Sequence, residues 1–150
     1  MKRRVFSFAL VIFLLASAVV VAQAAQNEVI YHGDGGYTVV TVTKEGTEGR
    51  AANYSRGEKM YEHFTGGDTL QWKAVLDATF TYNGSSAICT KVNGLNVTIY
   101  DSSWSVGSKS ISKSGNTAYG YLTMERSILG GTQGVPVTLT LTCDKNGYLS

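Results

Sequence analysis

From Thr69 to Tyr82 the chain reads TLQWKAVLDATFTY. Leu70, Trp72, Ala74, Leu76, Ala78, Phe80 and Tyr82 hold the even positions; Gln71, Lys73, Val75, Asp77, Thr79 and Thr81 hold the odd ones. A period of two sustained over this length predicts a long strand with one buried and one wet face, because successive β side chains point to opposite sides of a sheet. A helix would scatter Trp72, Lys73 and Asp77 around its circumference. Asn83-Gly84 follows, a pair that tolerates the positive φ of a tight hairpin turn, and predicts a return strand through Ser86 to Val92.

The same pattern extends in both directions. Tyr37 to Thr43 is strand-like, between Gly33-Asp34-Gly35-Gly36 and Lys44-Glu45-Gly46. Asn93-Gly94 predicts a turn into Val97–Tyr100, Asp101-Ser102-Ser103 a turn into Trp104–Ile111, and Ser114-Gly115-Asn116 a turn into Thr117–Glu125. Gly130 to Gly134 reads as a loop before a last strand, with Pro136 at the start of that strand, where its missing N–H costs least. One segment, Ser55 to Phe64, reads as a short helix, with Met60, Tyr61 and Phe64 on one side. Turn signals at this spacing predict an all-β fold, an antiparallel β-sandwich of roughly seven to nine strands, with a β-barrel as the runner-up.

The first residues change the compartment. Lys2, Arg3 and Arg4 precede an uncharged, mostly apolar run from Val5 to Val21, and Ala22-Gln23-Ala24 puts small residues where a signal peptidase reads them. Residues 1–24 are therefore expected to be a secretory signal peptide, leaving 25–150 as one secreted, extracellular or envelope-associated β-domain; the alternative is an uncleaved anchor. Without the signal, three of the 13 Lys and Arg are gone and none of the 11 Asp and Glu, so 10 basic groups face 11 acidic ones, a net charge of −1. The basic residues are scattered singly. Neither nucleic acid nor an anionic lipid surface has electrostatic support as a partner, and no second apolar run is long enough to span a membrane.

The chain has two cysteines, Cys89 and Cys143. Val135, Val137, Leu139 and Leu141 share a face in the last strand, and Cys143 is in phase with them. Two cysteines in an exported chain, one of them at an inward position, predict one disulfide closing a loop of 53 residues. The chain-entropy estimate for such a loop is about 4 kcal/mol. The alternative is a pair of buried free thiols. The order Cys89, Trp104, Cys143 is similar to the Cys–Trp–Cys arrangement of immunoglobulin-like sandwiches, and that resemblance implies two stacked sheets with Trp104 packed on the bond. The chain also looks like small exported β-proteins of Gram-positive bacteria, a group of unknown function.

Candidate chemistry is sparse. His32 and His63 read as a turn residue and a satisfied polar group, Asp77 as a solvated carboxylate on the wet face of its strand. No metal-ligand spacing, phosphate loop or nucleophile motif occurs, so no catalytic residue, metal or cofactor is expected, and a hydrolase is the least favoured class. Three matches to the N-glycosylation pattern, at Asn53, Asn83 and Asn96, are common by chance in a chain rich in Asn, Ser and Thr. Aromatic residues are the better clue, because Tyr and Trp offer rigid area with a polar edge. Tyr119 and Tyr121 are the candidate exposed patch, and Trp104 reads either as a core pin or as a rim binder, with core preferred. These features predict a non-catalytic binding domain for a glycan or protein ligand. The alternative is a toxin-like, bacteriocin-like or structural secreted protein, against which stands the absence of a basic amphipathic helix.

Overall fold

The computed structural model describes residues 25–45 and 53–150; the expected signal segment, residues 1–24, lies outside them. Eight strands follow one another: β1 (Gln26–Tyr31), β2 (Tyr37–Glu45), β3 (Tyr54–Phe64), β4 (Leu70–Tyr82), β5 (Ala87–Ile99), β6 (Trp104–Ser114), β7 (Thr117–Ile128) and β8 (Gly131–Thr142). They form a five-stranded sheet, β1-β2-β3-β4-β5, and a three-stranded sheet, β6-β7-β8, antiparallel throughout. The sheets do not close into a barrel, and the architecture is an all-β sandwich. Every in-sheet neighbour is also a neighbour in sequence. That is a plain meander, whereas immunoglobulin-like sandwiches are wired with Greek-key crossovers.

The alternation in β4 places Trp72, Ala74, Leu76, Ala78 and Phe80 inside, each at most 1 % exposed. Against them pack Ala118, Leu122 and Met124 of β7, Leu139 and Leu141 of β8, and the two cysteines. Gly120 sits in the same inward row of β7, and a Cβ there would press on Leu76 and Leu95, so the small sheet approaches the large one closely at this point. The inner edges of the two sheets, β5 and β6, are joined by side chains. Lys109 Nζ donates to Leu95 O at 3.1 Å, and Lys113 Nζ to Cys89 O at 3.2 Å and Thr90 O at 2.5 Å. Two lysines thus satisfy edge carbonyls that a ninth strand would otherwise pair.

Several expectations are corrected. Residues 54–64 are strand β3, not a helix: Ser55, Gly57, Lys59, Tyr61 and His63 alternate on the inner face, and the cross-strand neighbours supplied by β2 and β4 override the weak helical spacing. Asn93-Gly94 makes no turn. It lies within β5 at a bulge, where Asn93 Nδ2 donates to Asp77 Oδ1 (2.9 Å) and Thr79 Oγ1 (3.0 Å). A second irregularity at Thr90 leaves Cys89, Val92 and Leu95 facing inward three residues apart, which hides β5 from a period-two reading. The β7–β8 connection is only Leu129-Gly130, with Gly130 at φ 94°, and Gly131–Gly134 belongs to β8. Pro136 therefore lies mid-strand, on the outer edge of the small sheet.

The expected disulfide between Cys89 and Cys143 is absent: both are buried free thiols. Cys143 faces inward as expected and Cys89 does so too, but they belong to different sheets and hold successive carbonyls of the β6–β7 turn. Cys89 N donates to Gly115 O (2.8 Å) and Cys143 N to Asn116 O (3.0 Å). Each sulfur lies against a carbonyl of its own segment, Cys89 Sγ at 3.7 Å from Lys91 O and Cys143 Sγ at 3.4 Å from Asp144 O. Burial raises both thiol pKa values; that of Cys143, with Asp144 also raising it, is pushed up to about 11. Asp77 is likewise not solvated. It is 8 % exposed beneath Arg56, whose Nε and Nη2 donate to its two carboxylate oxygens at 3.2 and 2.6 Å.

Candidate functional site

The five-stranded sheet is wider than the three-stranded one, so the inner faces of β1, β2 and β3 are only partly covered. Between them and the outer edge of β8 lies a cleft of about 390 Å³. Its apolar walls include Ile30, Tyr61, Val135, Pro136 and Val137; its polar end holds His32, Asp34, Thr38 and His63, beside Trp72 and Trp104.

Local structure explains how these side chains meet. In the β1–β2 connection His32 N donates to Gly36 O at 2.8 Å, and the Asp34 carboxylate accepts from Gly36 N at 3.0 Å. Gly35 supplies the positive φ, 83°, that closes the loop. This turn carries His32 and Asp34 over the cleft. Thr38 is on the inner face of β2, opposite His63 of β3, which is in turn opposite Trp72 of β4. Trp104 opens β6 after a turn in which Asp101 Oδ1 accepts from Ser103 N at 2.7 Å.

The resulting cluster is continuous. Thr38 Oγ1 lies 2.8 Å from His32 Nε2 and 3.3 Å from His63 Nδ1. A hydroxyl has one proton, so Thr38 can donate to one imidazole and must accept from the other; the two rings are held in complementary tautomers. The His63 ring stacks on Trp72 at 5.2 Å and 18° and meets Trp104 edge-on at 5.4 Å. Arg126 of β7 covers the other side of Trp104, 5.7 Å from its ring, and reaches Asp34 at 3.9 Å. Burial lowers the pKa of His63, helped by nearby His32 and Arg126 and opposed by Asp34. The neutral imidazole, with Nδ1 engaged by Thr38, is the form favoured at neutral pH.

Both indoles are buried, Trp72 at 1 % and Trp104 at 6 % exposure, and neither Nε1–H has a hydrogen-bond acceptor among the described residues. Two orphaned donors on neighbouring residues that line one cleft are unusual, since each costs about 1–3 kcal/mol. A smaller cavity of about 100 Å³, lined in part by Gln71 and Gly66, shares Asp34, His63 and Trp104 with the cleft. Those three side chains form the partition between the two spaces.

Comparison finds no relative. No protein-family model, curated protein or solved structure matches the chain.

Of the residues singled out from the sequence, Trp104 lies in this cleft wall, whereas Tyr119 and Tyr121 stand on the outer face of the small sheet, away from it. Trp72 is core on one side and cleft on the other. The histidines were the missed signal: they lie 31 residues apart in sequence yet their rings are 5.3 Å apart. Among the described residues, no group of three or more His, Cys, Asp or Glu is placed to hold a metal.

Proposed function

We propose that the protein is an exported, non-catalytic binding domain that takes a small amphipathic ligand in the cleft between β1–β3 and β8. The observation that carries this reading is the pair of unsatisfied indole N–H donors on Trp72 and Trp104, both of which line the cleft beside its polar end. A ligand oxygen seated beside His63, with a small rotation of that ring, would accept from these donors and remove the cost of leaving them unpaired. The apolar body of the ligand would then lie along Ile30, Val135 and Val137. With His63 neutral at that end, and with Arg126 behind Trp104 offsetting the Asp34 carboxylate, the favoured head group is a carboxylate or a comparably acceptor-rich group. Thr38 is 4 % exposed and bonded to both imidazoles, so its hydroxyl serves as the link between the rings and not as an attacking nucleophile.

Intrinsic fluorescence is a direct test, because the protein's only two tryptophans both line the cleft. Titration with octanoate and phenylacetate is expected to give a saturable change in emission that is lost in Val137→Glu, which places a charge in the apolar wall. Glucose and N-acetylglucosamine serve as acceptor-rich probes without an apolar body. No saturable response to either carboxylate, or an equal response in Val137→Glu, would reject the reading.

A further inference from the structure

The outer face of β6-β7-β8 carries a pattern that the cleft shares only at Pro136 and Thr138, on its β8 edge. Cross-strand register aligns Ser114, Thr117 and Thr142 in one row, then Ser112, Tyr119 and Thr140, then Ser110, Tyr121 and Thr138, then Ser108, Thr123 and Pro136. In four successive rows every side chain but the proline carries a hydroxyl, and none carries a charge. Strands lie about 4.8 Å apart and alternate residues about 6.7 Å apart, so the face is a regular grid about 10 Å wide and 20 Å long. At its centre the Tyr119 and Tyr121 rings are parallel within 3°, with centroids 6.1 Å apart. Each ring is flanked on both sides by Ser and Thr. The four serines, Tyr121, Pro136 and Thr138 are exposed.

We propose that this face is a second binding site, which docks an extended neutral polysaccharide. Chemistry excludes the other occupants. A nucleic acid or an anionic membrane needs Lys or Arg, and the grid has none. A protein partner, a second copy of this chain included, needs a dehydrated apolar centre, whereas here the aromatic pair is ringed by hydroxyls that would lose water without gaining fixed partners. A sugar chain matches both components: its C–H groups lie against the outward side of the stacked tyrosine pair, and its hydroxyls exchange hydrogen bonds with the Ser and Thr rows. The length of the grid accommodates several linked rings.

The test is depletion from solution by insoluble polysaccharide. The protein is expected to be retained by at least one of microcrystalline cellulose, chitin and insoluble xylan, with retention unchanged by 0.5 M salt. Tyr119→Ala/Tyr121→Ala is expected to weaken retention at least tenfold. Ser112→Arg, at an exposed position beside Tyr119, is expected to do the same by obstructing the grid without touching the core. Failure of all three polysaccharides to retain the protein, retention abolished by salt, or retention indifferent to both the tyrosine pair and Ser112→Arg would overturn the proposal.

Discussion

Gly57 is expected to be among the least replaceable residues of the core, although it stands in the middle of a strand, where glycine is ordinarily a weakness. Its inner face is occupied by Leu149, which is 1 % exposed and reaches β3 because the chain folds back after β8. Cys143 and Leu149 form a bridge, Thr142 and Ser150 exchange both backbone hydrogen bonds, and Gly147 O accepts from Lys44 Nζ (2.9 Å) and Ser55 Oγ (3.2 Å). A Cβ at Gly57 would overlap both Thr43 O and Leu149 Cδ1. The leucine can move; the carbonyl is fixed in the β2–β3 ladder. Gly→Ala without a clash would stabilise by about 0.4–1 kcal/mol through the unfolded chain. Overpacking costs about 1–3 kcal/mol, and full displacement of a buried leucine about 2–5 kcal/mol. Gly57→Ala should therefore destabilise by about 2–4 kcal/mol, a fall in melting temperature on the order of 10 °C for a domain of this size. Chemical denaturation followed by near-ultraviolet circular dichroism would measure it. The double variant Gly57→Ala/Leu149→Ala should lose less than the sum of the singles, by about 0.5–3 kcal/mol, because the shortened side chain leaves room for the methyl. Full additivity, or a Gly57→Ala protein as stable as the parent, would refute the packing described.

Three further outcomes follow from the same structure. Asp77→Ala should cost about 2 kcal/mol, since it removes charge-assisted hydrogen bonds that tie β3, β4 and β5 together; denaturant midpoints would show it. Burial raises the Asp77 pKa, but the hydrogen bonds from Arg56 and Asn93 and the Arg56 charge outweigh it and hold the carboxyl below its ordinary 3.8, so this stabilisation is present above that pH and is lost as the pH falls through the folded value. For His63 the folded pKa lies below the ordinary 6.5, so the unfolded chain binds the extra proton first: melting temperature should fall as pH drops below 6.5, and His63→Gln should flatten that slope. Cys89 and Cys143 should resist iodoacetamide in the native protein at pH 8 and both react after denaturation without reductant; a mass showing no alkylated thiol in the denatured protein would contradict the free-thiol core.

How much of this was legible in the sequence depended on whether burial was one-sided and apolar. β4, β7 and β8 alternate cleanly because their inner faces meet each other, and Trp72 to Phe80 and Leu139 to Cys143 announce themselves. β3 does not, because its inner row is Ser55, Gly57, Lys59, Tyr61 and His63: one end is covered by Leu149, where only a small residue fits, and the other faces the cleft, where polar groups have partners or water. β5 fails for a different reason, since two irregularities break its period and convert Asn93-Gly94 from a turn signal into a bulge tied to Asp77. The same logic hid the candidate site. A lone histidine beside a glycine turn and another between a glutamate and a phenylalanine carry no local signature, and only the β1–β2 and β2–β3 registers bring both to Thr38. A binding cleft in a meander of this kind is assembled where the inward pattern stops being hydrophobic, so the residues that look least like core in a strand are the ones to examine. The outer Ser, Tyr and Thr rows were easier, because alternation alone puts Tyr119 and Tyr121 opposite Leu122 and Met124; what alternation could not show is that the neighbouring strands bring a hydroxyl to either side of each ring.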